Sequence, residues 1–362
     1  MFPRTSFLVA LALFVTALPA RAMDELIWRG DITTAGVIMQ DLAKEYARQK
    51  KGRIRIEPFS TLSGLDAVAN GTADIAGSAR GKYAQRAQEA TINFIPVALD
   101  AAVLVTHPKN PVTTLTLRQI HDVYFGRIKN WKELGGPDKP INLYAIAAPL
   151  DGVEYSLREL VYRKGNQPIA APRLYLNTAK LEEAVTIDPY GLGLTTLARA
   201  HANKKLKMLS VEGVTPSMTT VSNAAYPLFI TLYLAERDGS PKHDAIMRFL
   251  AFLDTQDAKR ILRKYQLIPY ADAGAVVARH DQRMTSIDQL LGRKPPQLAR
   301  PHPPAAASAG AAPSAGTALA QAGSGNADAA EPKERKKRFW QRKKEAPAAA
   351  EPAPAQGGSA AQ

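Results

Sequence analysis

The chain has 362 residues, 46% of them apolar, enough for one large or two ordinary domains and too many for a wholly disordered protein. It contains no cysteine, which excludes disulfides, thiolate metal sites and a lipid-modified cysteine, so the fold must hold by burial alone. The net charge of +14 is unevenly spread: residues 331–345 carry eight Lys or Arg against three Glu, Arg4 and Arg21 lie near the start, and the remaining +7 gives the body a weak preference for acidic solutes or surfaces.

In chain order, Arg4 precedes an apolar run over residues 7–18, and Ala20-Arg21-Ala22 is a small-x-small cleavage pattern. Residues 1–22 therefore read as a cleaved signal peptide, with periplasmic localisation expected. The run is shorter than the roughly 20 residues a bilayer span needs, which disfavours a retained anchor. Residues 25–29 read as a strand and 30–34 as a turn into a helix with Ile38, Leu42 and Tyr46 on one stripe. A second strand follows at 53–57, so a right-handed parallel crossover is expected. Residues 59–64 form a hydroxyl-rich loop before a helix at 65–70. A third loop, 77–80, follows a strand at 74–76. Three strand-to-helix loops on one sheet edge present amides and hydroxyls where open α/β sheets bind ligands, although each alone is equally an ordinary helix cap.

Residues 92–107 are apolar and β-branched, more than one surface strand accounts for. Residues 110–136, NPVTTLTLRQIHDVYFGRIKNWKELGG, begin extended. Thr116 and Gln119 then form a capping box, Leu117, Ile120, Val123 and Tyr124 recur at helical spacing, Gly126 stops the helix, and Trp131 and Leu134 make a further turn ended by Gly135 and Gly136. A strand at 141–146 leads through the loop 147–152 into a helix at 153–163. A helix piece at 181–186, a turn at 188–193, strands at 206–211 and 229–234, helices at 241–253 and 255–265, and an amphipathic piece at 271–291 complete the body. Gly191-x-Gly193 lacks the third glycine of a dinucleotide loop. From about Lys294 the chain is rich in Pro, Ala, Gly and Ser and is expected to be disordered. Within it Phe339 and Trp340 interrupt the basic run 333–345, which suits an anionic membrane surface or cell-wall polymer, or simply solubilises the tail. Nucleic acid is not expected, because export removes the chain from it.

The patterns N-P-V-x-x-L-T-x-x-Q-I and F-G-x-I-x-N-W-K-E-L-G-G within 110–136 resemble those of phosphate-binding-type periplasmic substrate-binding proteins, and the likeness extends over about residues 26–269. It implies an α/β, two-lobed clamp of the type II periplasmic-binding kind, each lobe a mixed sheet flanked by helices. Lobe one is expected at 23–100 and 225–293, including the extension, lobe two at 101–224, and the tail at 294–362. The family hands a small oxyanion, usually phosphate, to an ABC importer permease. By position, the implied ligand residues are Asp31, Thr33, Thr34, Ser60, Thr61, Ser63, Ser78 and Arg80. A monomer without cofactor is expected.

The fourth loop departs from the family pattern. Where Arg, three residues and Ser-Gly-Thr are usual, this chain has Ala147, then Ala148-Pro149-Leu150, then Asp151-Gly152-Val153. Two like charges 4 Å apart repel by about 4 kcal/mol at an effective dielectric of 20, against about 0.3 to 1 kcal/mol from a helix start. Either Arg80 and Asp151 have exchanged places around a protonated oxyanion, with Asp151 and Gly152 in the site, or they pair and close the clamp without ligand. The second case suits a non-transport envelope interaction or signalling protein. Six scattered histidines, with no P-loop and no G-x-S-x-G elbow, give no enzyme signature.

Overall fold

The computed structural model of the chain describes residues 25–31 and 38–293. The signal segment, the turn bearing Thr33 and Thr34, and the tail with its basic run lie outside the described residues. The first half begins with β1 (Glu25–Asp31), α1 (Gln40–Arg48), β2 (Arg53–Phe59), α2 (Thr61–Ala69) and β3 (Ile75–Ser78). β1 lies between β2 and β3 and pairs in parallel with both, as the strand, helix, strand pattern requires. Alternation buries Leu26 and Trp28, and α1 sets Leu42 and Tyr46 inward.

The apolar run after β3 is one strand, β4 (Ile92–Thr106), 15 residues long and nearly all buried from Ala98 onward. Beyond it come β5 (Thr114–Leu115), α3 (Leu117–Phe125), β6 (Asn142–Ile146), α4 (Gly152–Tyr162), β7 (Arg173–Tyr175), α5 (Thr178–Ile187), β8 (Gly191–Thr196), α6 (Leu197–Ala202), β9 (Lys207–Met208), β10 (Ser210–Val211) and α7 (Met218–Ser222). The chain returns through β11 (Phe229–Arg237), α8 (His243–Leu253), α9 (Gln256–Lys264), β12 (Ile268–Pro269), α10 (Gly274–Val277) and α11 (His280–Leu290). The main sheet runs β2-β1-β3-β11-β4-β8-β6-β7. β4 pairs antiparallel with β11 up to Ala101 and with β8 from Ala102, so a single strand carries the chain between the halves of the clamp.

The corner at 110–136 folds as its local signals dictate. Thr116 accepts from the Gln119 amide while Gln119 returns the bond, and Gly126 and Gly135 close the two turns in the left-handed region at φ 83° and 81°. Four readings need correction. α2 starts at Thr61 rather than 65, because Ser60 and Ser63 form a reciprocal cap at its start. α5 starts at Thr178, capped by Asn177. Gly191 and Gly193 belong to a strand rather than a turn: a Cβ on Gly193 would lie 2.5 Å from Leu181 Cδ2, so glycine there lets α5 pack directly on β8. The strand read at 206–211 is two short pieces, β9 on β4 and β10 on β5. The amphipathic piece at 271–291 is α10 and α11, which bury Val276, Met284 and Ile287.

Candidate functional site

The carboxyl ends of β1, β2 and β3 bring Asp31, the Ser60–Ser63 turn and the Ser78–Arg80 turn to one edge, and the loop after β6 brings Asp151 and Gly152 against them. The two halves meet closely here. A Cβ on Gly152 would stand 3.0 Å from Thr61 Oγ1 and 3.6 Å from the Ala79 Cβ, and the Ser156 hydroxyl donates to the Ala79 carbonyl at 2.7 Å.

Asp151 stands at the N-cap of α4 with extended backbone (φ −85°, ψ 133°), where its carboxylate would ordinarily accept from its own helix. It makes no such bond. Instead Oδ1 accepts from the Thr61 backbone amide, the first of α2, at 2.8 Å. The carboxylate thus occupies the anion position of a helix start in the opposite half, where partial positive charge and orphan amides converge. Burial, and then the nearby Asp31 charge, raise the Asp151 pKa, while the amides of Thr61 and Leu62 and the Thr61 hydroxyl oppose the rise, leaving it at about 6. One turn further along α4, fully buried Glu154 is pushed up to about 7, mainly by burial, and Asp151 adds to the effect despite Arg158 at 3.6 Å.

Arg80 does not face Asp151. Its Nη2 and Nη1 donate to Glu89 at 2.6 and 3.0 Å, with both side chains fully buried, while Nε donates to the Leu150 carbonyl at 2.7 Å and Nη1 to Gly81 at 2.8 Å. Burial opposes ionisation of Glu89, yet Arg80, the Tyr83 amide and Arg86 hold it below the usual carboxylate range. Both sequence expectations for Arg80, pairing with Asp151 and facing it across an oxyanion, are therefore corrected: desolvation makes a bidentate carboxylate the partner the guanidinium needs. The contact it does make across the seam, to Leu150, goes to a carbonyl.

The hydroxyls are also engaged locally. Ser60 accepts from the Ser63 amide, Ser63 bonds the Ser60 amide and carbonyl, and Ser78 donates to the Arg80 carbonyl at 2.8 Å. The structure thus brings together Asp31, Thr61, Asp151 and Gly152. It turns Ser60, Ser63 and Ser78 toward their own loops and commits Arg80 to Glu89 and the Leu150 carbonyl. Thr33 and Thr34 fall outside the described residues. Glu89, Glu154 and Ser156 were not read from sequence. Glu154 lies three residues beyond Asp151 and Ser156 four beyond Gly152, so helical spacing from the altered loop was the available signal, whereas nothing local marked Glu89. Among the described residues no group of His, Asp and Glu is arranged to hold a metal ion.

A family model described as a PBP superfamily domain matches residues 33–256. Protein SphX of Synechococcus elongatus is 25% identical over 270 residues, covering 69% of this chain and 79% of its own length. The phosphate-binding protein PstS of Bacillus subtilis is 25% identical over 263 residues, covering 70% and 83%. The crystal structure of a putative phosphate ABC transporter substrate-binding protein with bound phosphate from Clostridium perfringens superposes with a TM-score of 0.62 at 21% identity, over 68% of this chain and 99% of that one. That likeness establishes the clamp architecture.

Proposed function

The chain belongs to the PBP superfamily, and from that premise we propose that it is a periplasmic solute-binding protein of the phosphate ABC-transporter type. Its small-oxyanion site lies at the start of α2, where Asp151 is a resident competitor. The observation that carries this reading is the 2.8 Å bond from the Thr61 amide to Asp151 Oδ1. An anionic group already sits on the helix start, and it is the protein's own. The name of the Bacillus subtilis relative supports phosphate as the solute class, and the description of the Clostridium perfringens protein as a phosphate ABC transporter substrate-binding protein supports an ABC importer as the partner. A free oxyanion must displace the carboxylate, and it meets Asp31 beside it. Protonating Asp151 weakens its hold on the amides and removes one of the two repelling charges, so binding strengthens as pH falls through about 6.

The test is calorimetric titration of phosphate into the mature protein and Asp151→Ser at pH 5 and pH 8. Serine removes the tethered anion, supplies an N-cap for α4 and keeps the loop small. The variant is expected to bind phosphate at least about tenfold more tightly than the parent at pH 8, roughly 1.4 kcal/mol. The parent is expected to bind more tightly at pH 5 than at pH 8. A folded Asp151→Ser protein that shows no heat at millimolar phosphate at either pH overturns the oxyanion reading. The second reading, a non-transport envelope protein whose clamp stays shut, then takes its place. It is favoured by the complete engagement of Arg80 by Glu89, Leu150 and Gly81. In that reading the basic run 333–345 contacts anionic membrane or cell-wall polymer.

A further inference from the structure

Behind the seam, on the side of the hinge strands, lies a cavity of about 440 Å³, walled by both halves and by the C-terminal extension. Part of its wall comes from residues 270–283, beyond the matched family region. Four aromatic side chains line it, Tyr155, Phe229, Tyr233 and Tyr270, together with three cations, Lys82, Arg283 and the Arg80 already paired with Glu89.

Arg283, on α11, is nine-tenths buried. Its Nη1 donates to the Phe229 carbonyl at 2.6 Å and reaches Pro227 at 3.4 Å, Nη2 lies 3.2 Å from His280 Nδ1, and Nε is buried without a partner. The guanidinium stacks 3.6 Å from the centre of the Phe229 ring. Among the described residues it has no carboxylate within ion-pair distance, whereas the other two buried arginines, Arg80 and Arg158, face Glu89 and Glu154. Burial, and then the like charge of Arg163, pull its pKa down to about 9. Lys82 is held by the Ala90 and Ile92 carbonyls, again without a carboxylate. The acid on the wall, Glu159, accepts from the Gly165 amide at 2.8 Å and is turned to its own chain.

A desolvated guanidinium without a counter-ion is costly, and a carboxylate is the planar partner that matches it. The volume falls in the range of small-molecule sites, and aromatic walls favour a flat apolar body. We propose that this cavity is a second ligand site for a small aromatic monocarboxylate, its carboxylate on Arg283 and its ring among Tyr155, Tyr233 and Tyr270. Asp151 does not line this cavity, although Arg80 and Ser156 from the seam do, and the proposal does not depend on the oxyanion reading.

The probe is 2-naphthoate, with the neutral 2-naphthamide as its uncharged counterpart, each titrated calorimetrically into the mature protein at pH 7. Naphthoate is expected to bind at least about tenfold more tightly than naphthamide. Arg283→Gln is expected to erase that preference. Tyr270→Ala, at the wall and away from the buried guanidinium, is expected to weaken naphthoate while leaving the preference for charge intact, which covers the case in which Arg283→Gln fails to fold. Asp151→Ser is expected to leave naphthoate affinity unchanged, and phosphate is expected not to displace it. Equal binding of the two probes by the parent protein, absence of heat up to about 10 mM, or competition between naphthoate and phosphate overturns the proposal.

Discussion

The two sides of the interlobe seam are electrostatic opposites. In front, a carboxylate rests on helix amides beside a second carboxylate. Behind, a guanidinium rests on carbonyls and an aromatic face, with no carboxylate within ion-pair distance among the described residues. Between them Arg80 and Glu89 form a complete buried pair. Backbone amides in front, and carbonyls with an aromatic face behind, hold a buried charge in place on both sides, but they do not neutralise it, and the displaced pKa values of Asp151 and Arg283 record the remainder. A matched pair is structural, whereas an unmatched charge beside a cavity or an anion position is where a ligand has something to gain.

The comparison is broken most severely by unmatching the pair. Glu89→Gln leaves the Arg80 guanidinium buried with a neutral partner and is expected to destabilise the protein by about 3 to 5 kcal/mol in urea unfolding. Replacing both residues by apolar ones of similar volume is expected to recover most of that loss. A smaller effect is expected from pH. Burial raises Asp100 to about 7, Glu154 to about 7 and Asp151 to about 6. A carboxyl whose folded pKa is raised binds its proton more tightly in the folded state. Its contribution is therefore fully present below the unfolded pKa near 4 and is lost as pH climbs to the folded value. Stability should fall between about pH 4 and 7, each unit of pKa displacement accounting for at most roughly 1.4 kcal/mol. Glu154→Gln should flatten part of that slope, and a thermal melt series across this range measures both. The smallest effect is a control far from the seam: Thr116→Ala removes the cap of α3 and should cost about 1 kcal/mol without changing phosphate or naphthoate binding.

The parts legible in the sequence are those whose partners are close in the chain. The corner at 110–136 is closed by bonds three residues apart, so Thr116, Gln119, Gly126 and Gly135 could be read directly. The parallel crossovers followed from strand and helix periodicity. The 59–64 loop reads as a possible helix cap, but its return partner is Ser63 rather than Glu or Gln, so the sequence does not fix the start of α2 at Thr61. The fourth loop departs from the family pattern in its residues, but the bond that explains it joins positions 90 apart, and no local pattern reports such a partner. Arg80 illustrates the limit: its charge suggested a ligand contact, and only tertiary packing reveals Glu89 already on it.

One strand ties the clamp together in a further sense. Because β4 hands its pairing from β11 to β8 between Ala101 and Ala102 without a break, neither half can lose its sheet while leaving the other's central strand undisturbed. The two lobes should therefore melt as one cooperative unit. Hydrogen exchange should find the slowest amides of the molecule clustered along this shared strand, on both sides of the crossing point.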